Sequence, residues 1–199
     1  LKPRPWPRQR CDRTAVHVTP QPAVIEDRTD YFGNPTTYFT VQEPHRSLTV
    51  TATHRIAVRT SDSPPAAETP PWEELRDRLP NDRGGPYLDA YQYVFDSRAA
   101  FAKPEFAEYA LVSFTPGRPV LDAALDLTRR VHADFLYDPR ATTVATPVGE
   151  VFETRRGVCQ DFAQFQIAAL RSLGLAARYV SGYLSTVPPP GRPRLIGAD

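Results

Sequence analysis

The residues most capable of chemistry lie in one short stretch, in which a cysteine stands two positions after a glycine and opens an apolar run. This stretch reads Arg155-Arg156-Gly157-Val158-Cys159-Gln160-Asp161-Phe162-Ala163. A thiol in the first turn of a helix faces unpaired backbone N–H groups and the positive end of the helix dipole, and both favour the thiolate. Because the thiolate is the nucleophilic form of cysteine, the pattern predicts nucleophilic catalysis by Cys159. The two arginines before the glycine are expected to be solvated surface charges.

Four residues near Cys159 are candidates for supporting roles. Gly157 would let the backbone turn tightly and would leave the sulfur open to approach. Gln160 and Asp161 lie in the first turn, where an amide can donate to a developing oxyanion and a carboxylate complements the helix dipole. Tyr179, on the strand predicted after the helix, is a candidate for lining a substrate cleft. The alternative for Cys159 is a small buried residue without reactivity, and the spacing alone leaves that alternative open.

Two helices and a strand are expected to position the thiol. Residues 120–137 predict an amphipathic helix, and residues 159–173 predict a second helix that a glycine ends. Between them we expect an extended segment at 142–148 and a turn at 150–156, and after them a core strand at 176–184. The apolar stripe of the first helix consists of Leu121, Leu125, Thr128, Val131 and Phe135.

The first sixty residues predict a β domain. A strand at 14–19 and a hairpin around a Gly-Asn turn at 33–34 precede the clearest strand, at 47–59. Its alternation predicts a half-buried antiparallel strand. The apolar face comprises Leu48, Val50, Ala52, His54, Ile56 and Val58. The predicted fold class is therefore α+β, with an incomplete sandwich-like domain at 1–60, a linker with connecting helices at 61–118 and a core at 119–199.

Two parts of the chain resemble the bacterial transglutaminase-like family, whose architecture is similar to that of papain-like cysteine enzymes. The resemblance rests on residues 157–163 and 167–184 for the core, and on residues 30–34 and 41–50 for the β domain that precedes it. The resemblance implies a Cys-His-Asp arrangement in which Cys159 attacks an amide and a histidine accepts the thiol proton. It also implies thiol-dependent acyl transfer or hydrolysis at glutamine or peptide amides, through a thioester on Cys159.

In this family the histidine and the aspartate follow the matched strand, so we expect a chain that is cut at both ends and inactive by itself. The histidines of the chain are His17, His45, His54 and His132, and none has metal-ligand spacing. We therefore expect no metal and no cofactor, and no base among these four histidines. The alternatives left open are a cysteine peptidase or amidase of the same superfamily and a catalytically inactive peptide-binding module.

Charge and cysteine content exclude several other classes of protein. The 199 residues hold 24 Lys and Arg against 23 Asp and Glu, so they lack the basic excess that drives binding to nucleic acids or membrane surfaces. No apolar run is long enough to span a membrane, and no signal peptide is visible. Two distant cysteines make no disulfide framework. We therefore predict a cytoplasmic protein. The resemblance to the transglutaminase-like family implies that it acts on a protein or peptide substrate.

Overall fold

A computed structural model describes residues 2–59, 64–82, 84–182 and 191 of the chain. The chain separates into two compact units, residues 1–63 and residues 64–199. The described part of the first unit contains strands, and that of the second contains mainly helices. The predicted α+β class is therefore confirmed. The division into three parts, with a core that begins at residue 119, stays a prediction.

Residues 2–59 of the N-terminal unit contain two antiparallel strand pairs. Strand β1 (Gln9–Thr19) pairs with β4 (Thr49–Val58), and β2 (Val24–Thr29) pairs with β3 (Pro35–Thr40). The predicted hairpin is confirmed, because Asn34 N–H donates to Asp30 Oδ1 at 2.7 Å and Gly33 takes a positive φ of 78° in the turn. The glycine allows this left-handed turn without steric cost.

The predicted burial of one face of β4 is wrong. The strand is antiparallel, as its alternation predicts, but Val50 is 48% exposed and Val58 is 70% exposed. Only His54 is half-buried along β4. The sheet of β1 and β4 has two strands in the described residues, and a two-stranded ribbon buries little of either face by itself.

The described part of the second unit contains six α-helices and one small parallel sheet. A 3₁₀ turn (Ala66–Glu68) precedes them. The helices are α1 (Trp72–Arg78), α2 (Gly85–Tyr91), α3 (Pro104–Leu111), α4 (Val120–Asp134), α5 (Val148–Thr154) and α6 (Cys159–Ser172). The sheet pairs β5 (Leu136–Tyr137) with β6 (Arg156–Gly157). It joins the end of α4 to the turn that opens α6.

An aromatic core holds α3, α4, α5 and α6 together. The Phe165 ring on α6 lies 5.0 Å from Phe135, 5.2 Å from Phe152 and 5.5 Å from Phe106, measured between ring centroids. Phe106 and Phe165 are fully buried. Large buried rings contribute strongly to stability through their apolar area. The helix that carries Cys159 is therefore anchored by its interior, and its first turn reaches the surface.

Helix α4 buries a different stripe from the predicted one. The buried side chains are Ala123, Leu127 and Val131, whereas Leu125 is 41% exposed and Thr128 is exposed. Val131 is the only member of α4 that belongs to both stripes. The helix also ends at Asp134 and not at Tyr137, because the next residues enter β5.

Three further predictions around the cysteine are wrong. The segment 142–148, which was expected to be extended, contains a turn at residues 144–145, and residues 148–154 form helix α5 where a turn was expected at 150–156. Residues 176–182 form no strand, and the rest of that prediction, residues 183–184, lies outside the described residues. The predicted helix that opens at Cys159 and stops before Gly174 is confirmed, with Gly174 at a φ of 77°.

Candidate active site

Cys159 is the first residue of α6 and its side chain is exposed. Val158 precedes it as the extended N-terminal cap, and the two residues of β6 precede Val158. Cys159 Sγ makes no hydrogen bond within the described residues. The thiol therefore lies where the sequence places it, open to solvent at a helix start, and its catalytic role stays a prediction.

Asp161 is a buried carboxylate that fastens the turn before the cysteine. It is 8% exposed, and its Oδ2 accepts the Val158 backbone N–H at 2.8 Å and the Thr142 hydroxyl at 2.6 Å. The bond to Val158 is the carboxylate half of a capping box, with Asp161 at the third helical position. Asp161 thus does more than complement the helix dipole, because it ties the 138–147 loop to the cysteine turn.

A glycine is required at position 157 because a side chain there would have no room, and not because the chain makes a left-handed turn. It is not among the residues with positive φ, and a Cβ on it would lie 2.6 Å from Asp161 Oδ2 and 2.9 Å from Asp161 Cβ. Such distances are shorter than real Cβ contacts allow. The structure adds a reason for this glycine that the sequence does not contain, namely the close approach of the buried carboxylate. The predicted open approach to the sulfur stays a prediction.

The parallel sheet places a second chain segment beside the cysteine turn. Leu136 N–H donates to the Arg155 carbonyl at 2.8 Å, and Asp138 N–H donates to the Gly157 carbonyl at 2.9 Å. The loop that follows is held by its own hydroxyl groups, since Thr146 Oγ1 accepts the Thr143 N–H at 2.9 Å. These bonds join the loop to the cysteine turn independently of Asp161.

Sequence reasoning missed Thr142, which binds the buried carboxylate directly. Its β-branched side chain, next to other threonines and valines, predicted an extended segment. The hydroxyl group was the available signal, because threonine in a loop commonly bonds to nearby polar groups in place of a strand ladder.

The other predicted site residues are exposed. Gln160 lies at the second position of α6, and Tyr179 is 44% exposed in the segment after α6. The supporting role of Gln160 and the cleft role of Tyr179 stay predictions. The cleft role of Tyr179 was predicted from its place on a strand, but residues 176–182 form no strand, so that basis for the prediction does not apply.

No histidine is hydrogen-bonded to Cys159 in the described part of the chain. His132 is exposed on α4, whereas His17, His45 and His54 lie in the N-terminal unit. Among the described residues, no group of three or more His, Cys, Asp or Glu side chains could hold a metal ion. The described residues therefore supply a candidate nucleophile and its support, without a bonded base.

The helix that presents the thiol and the aromatic core behind it define a papain-like, transglutaminase-like fold. A crystal structure of a proposed cysteine protease from Cytophaga hutchinsonii superposes with a TM-score of 0.67 and 20% identity, over 88% of this chain and 57% of that one. Residues 1–57 match the bacterial transglutaminase-like N-terminal region, and residues 112–192 match the transglutaminase-like superfamily. The chain therefore carries the two regions that these models describe, the bacterial transglutaminase-like N-terminal region and the transglutaminase-like core.

Mycobacterial relatives match most or all of the chain. Uncharacterised proteins of Mycobacterium tuberculosis and Mycobacterium bovis are 43% identical over 204 residues, which cover 100% of this chain and 63% of each relative. A Mycobacterium leprae protein is 32% identical, over 84% of this chain and 56% of its own length. The chain therefore spans less than two thirds of the relatives' length. Within the described residues, no helix is both long and apolar enough to cross a membrane.

We expect Cys159 to be alkylated by iodoacetamide about tenfold faster than Cys11 at neutral pH, because only Cys159 lies at a helix start. Cys11 is the matched control within the same molecule. It is also exposed, and its Sγ lies 2.9 Å from Thr14 Oγ1 on a bulged strand. Peptide mass spectrometry of briefly labelled folded protein gives both rates, and equal rates would contradict a reactive Cys159.

Proposed function

We propose that the protein is a thiol-dependent acyl-transfer enzyme, in which Cys159 attacks the side-chain amide of a glutamine in a protein or peptide. The observation that carries the proposal is the placement of Cys159, exposed at the first position of α6 in a chain of the transglutaminase-like superfamily. The buried Asp161 and the close-packed Gly157 support it by holding the preceding turn in place.

The first step forms a thioester and releases the amide nitrogen. The Sγ of Cys159 bonds to the carbonyl carbon as the thiol gives up its proton, and the C–N bond then breaks. The proton leaves with the nitrogen, so that a glutamine amide gives ammonia. Unpaired N–H groups of the first turn of α6 are suited to the oxyanion that develops before this bond breaks. The full protein must supply a proton acceptor, for which the family resemblance implies a histidine oriented by an aspartate.

The second step consumes the thioester. Attack by water gives a carboxylic acid, and attack by a primary amine gives a new amide; either restores the free thiol. The acceptor determines whether the enzyme is a hydrolase or a transferase. Which acceptor reacts depends on how well the cleft excludes water. Hydrolysis of peptide bonds is the second candidate, because the structural neighbour from Cytophaga hutchinsonii is named for proposed cysteine protease activity.

Hydroxylamine traps the thioester that hydrolysis and amine transfer have in common, so the test does not depend on the natural acceptor. We expect the full-length protein, given a blocked glutamine peptide and hydroxylamine, to form the peptide hydroxamate that mass spectrometry detects. The Cys159→Ala variant should form none, since the nucleophile is absent. The Cys11→Ala variant is the matched control, and it should form as much hydroxamate as the unmodified protein.

Two results would overturn the proposal. Hydroxamate formation that persists in Cys159→Ala would assign the chemistry to another residue. Binding of the peptide without any hydroxamate, across glutamine and peptide-amide substrates, would favour a catalytically inactive peptide-binding module.

A further inference from the structure

Arg155 is a non-glycine residue in the left-handed region, and it stands immediately before β6. Its φ is 55° and its ψ is 32°, and its N–H ends α5 by donating to the Val151 carbonyl at 3.0 Å. Glycine is the usual residue in such a helix end, because a Cβ makes this conformation costly. An arginine that persists there requires compensation from its surroundings.

The Arg155 side chain finds that compensation among three aromatic rings. Its guanidinium carbon lies 4.0 Å from the ring centre of Phe152, 4.8 Å from Phe135 and 5.0 Å from Tyr109. Its Nη1 is buried and makes no hydrogen bond among the described residues. Cation–π attraction in a partly desolvated site is therefore what holds this charge. We call these three rings the arginine cage.

The arginine cage and the cysteine helix rest on the same aromatic cluster. Phe135 contacts Phe162 at 5.6 Å and Phe165 at 5.0 Å, and Phe152 contacts Phe165 at 5.2 Å, all between ring centres. Phe162 and Phe165 belong to the first two turns of α6. A displacement of the cage rings would therefore shift the rings that anchor α6, the helix that carries the thiol.

Tyr109 is fixed in the cage by its own hydrogen bond. Its hydroxyl donates to Asp134 Oδ2 at 2.6 Å. Burial and the neighbouring Asp134 carboxylate raise the pKa of Tyr109 above its usual value, so that the ring keeps its proton and continues to donate. The cage wall formed by α3 is thus tied to the end of α4.

The Arg155 backbone also sets the position of β6. Its carbonyl accepts the Leu136 N–H at 2.8 Å, and two residues later the Gly157 carbonyl accepts the Asp138 N–H at 2.9 Å. Cys159 follows two residues after Gly157. The conformation of Arg155 therefore determines the direction in which the chain enters the sheet, and through it the start of α6.

We propose that Arg155 is a positioning residue, whose guanidinium in the arginine cage holds the left-handed turn that aligns β6 and places Cys159 at the helix start. This inference rests on the proposed function of Cys159. It assigns to Arg155 no contact with substrate. It states that a cation, and not merely a bulky side chain, is needed at this position.

The test measures the ratio of the Cys159 and Cys11 alkylation rates, together with hydroxamate formation, in folded full-length variants. Arg155→Met keeps most of the side-chain volume without the charge, and we expect both readouts to fall about fivefold. Arg155→Gly permits the left-handed conformation without steric cost but no longer fixes it, because the cation that anchors the turn in the cage is gone, so both readouts should fall similarly. Arg155→Lys restores a cation near the rings, and it should recover most of the lost rate.

Arg156→Met is the matched control for loss of charge near the thiol. Arg156 is the adjacent residue, its side chain is 54% exposed, and its ion pair with Asp138 is 3.9 Å long. We expect this variant to match the unmodified protein. Circular dichroism at the labelling temperature shows that each variant is folded, so that a slower rate is not an effect of unfolding.

Three outcomes would overturn the inference. Unchanged readouts in Arg155→Met would show that the cage does not act on the thiol. Equal losses of both readouts in Arg155→Met and Arg156→Met would assign the effect to the general attraction between nearby positive charges and the Cys159 thiolate. Full rates in Arg155→Gly would show that only the backbone matters. If the unmodified protein forms no hydroxamate, the proposed function fails, and this is distinguishable because Arg155 variants would still change the alkylation ratio.

Discussion

Replacing Gly157 with alanine is expected to lower the free energy of unfolding by about 3 kcal/mol, because the new methyl group and the Asp161 carboxylate require the same space. The Cβ would lie 2.6 Å from Asp161 Oδ2. That oxygen is the acceptor for both Val158 and Thr142, so moving it leaves two donors and a buried carboxylate poorly paired. Urea unfolding measures the loss, and Cys159 alkylation should slow in the same variant.

Gly149→Ala is the matched control for this substitution. Gly149 lies in α5, and a Cβ there would meet only the mobile end of Lys103, with its Nζ at 3.2 Å. Alanine in a helix is favoured over glycine, so this variant should gain about 0.5 kcal/mol. If Gly157→Ala and Gly149→Ala unfold at the same urea concentration, the steric argument is wrong.

The position of the thiol could be predicted from the sequence because every signal for it is local. The glycine before Cys159, the apolar run after it and Gly174 at the end of α6 all act within a few residues. The partners of Asp161 are different. One is a backbone N–H three residues away, but the other is Thr142, nineteen residues upstream. Such a pairing depends on the path of the intervening residues, which include α5.

The surroundings of Arg155 show the same limit. Next to a second arginine and ahead of a glycine, it has the sequence features of a solvated charge, yet its side chain lies among rings from α3, α5 and the end of α4. No single stretch of sequence contains those rings together. A cage of this kind is a product of tertiary packing, and the left-handed conformation of a non-glycine residue is a backbone sign of it.

The wrong stripe of α4 has a related cause. The helix carries two regular apolar rows, one through Leu121 and Leu125 and one through Ala123 and Leu127. Both fit a helical period, and periodicity does not state which row faces the core. Small Ala123 is fully buried, whereas the larger Leu125 is 41% exposed. Packing against neighbouring helices decides the choice, and a ranking by side-chain size gives the opposite answer.

The short helix α5 was missed because its local preference is weak. It has seven residues, with a glycine and two valines among them. Such a segment is marginal alone, and glycine and β-branched residues are poor helix formers. Val148 and Val151 are buried, so contact with the core provides the stability that the sequence lacks locally.

Loss of the Arg171 guanidinium is the other change for which we expect a large effect. Arg171, in the last turn of α6, binds the backbone carbonyls of Tyr93 and Ala177 at 2.9 Å and that of Ala100 at 3.2 Å. It also binds Ser97 Oγ at 3.0 Å. One side chain therefore joins the loop before α3 and the chain after α6 to the cysteine helix.

This guanidinium is partly withdrawn from water, and burial lowers the pKa of Arg171 from its usual value. Its hydrogen bonds offset that cost in the folded protein. Arg171→Met keeps the apolar stem but leaves the carbonyls of Tyr93, Ala100 and Ala177 without this donor. We expect the free energy of unfolding to fall by about 3 kcal/mol, since hydrogen bonds to charged groups are the stronger kind.

Arg178→Met controls for the loss of one arginine in the same region. Arg178 is exposed and contacts the Tyr93 ring at 5.6 Å, so its removal should cost only about 0.5 kcal/mol. Arg171→Lys should fall between the two, because an ammonium group cannot reproduce the planar fork that serves several acceptors. Urea unfolding of the three variants gives the order. If Arg171→Met is as stable as Arg178→Met, Arg171 does not hold these segments together, and the loop before α3 must depend on the aromatic core alone.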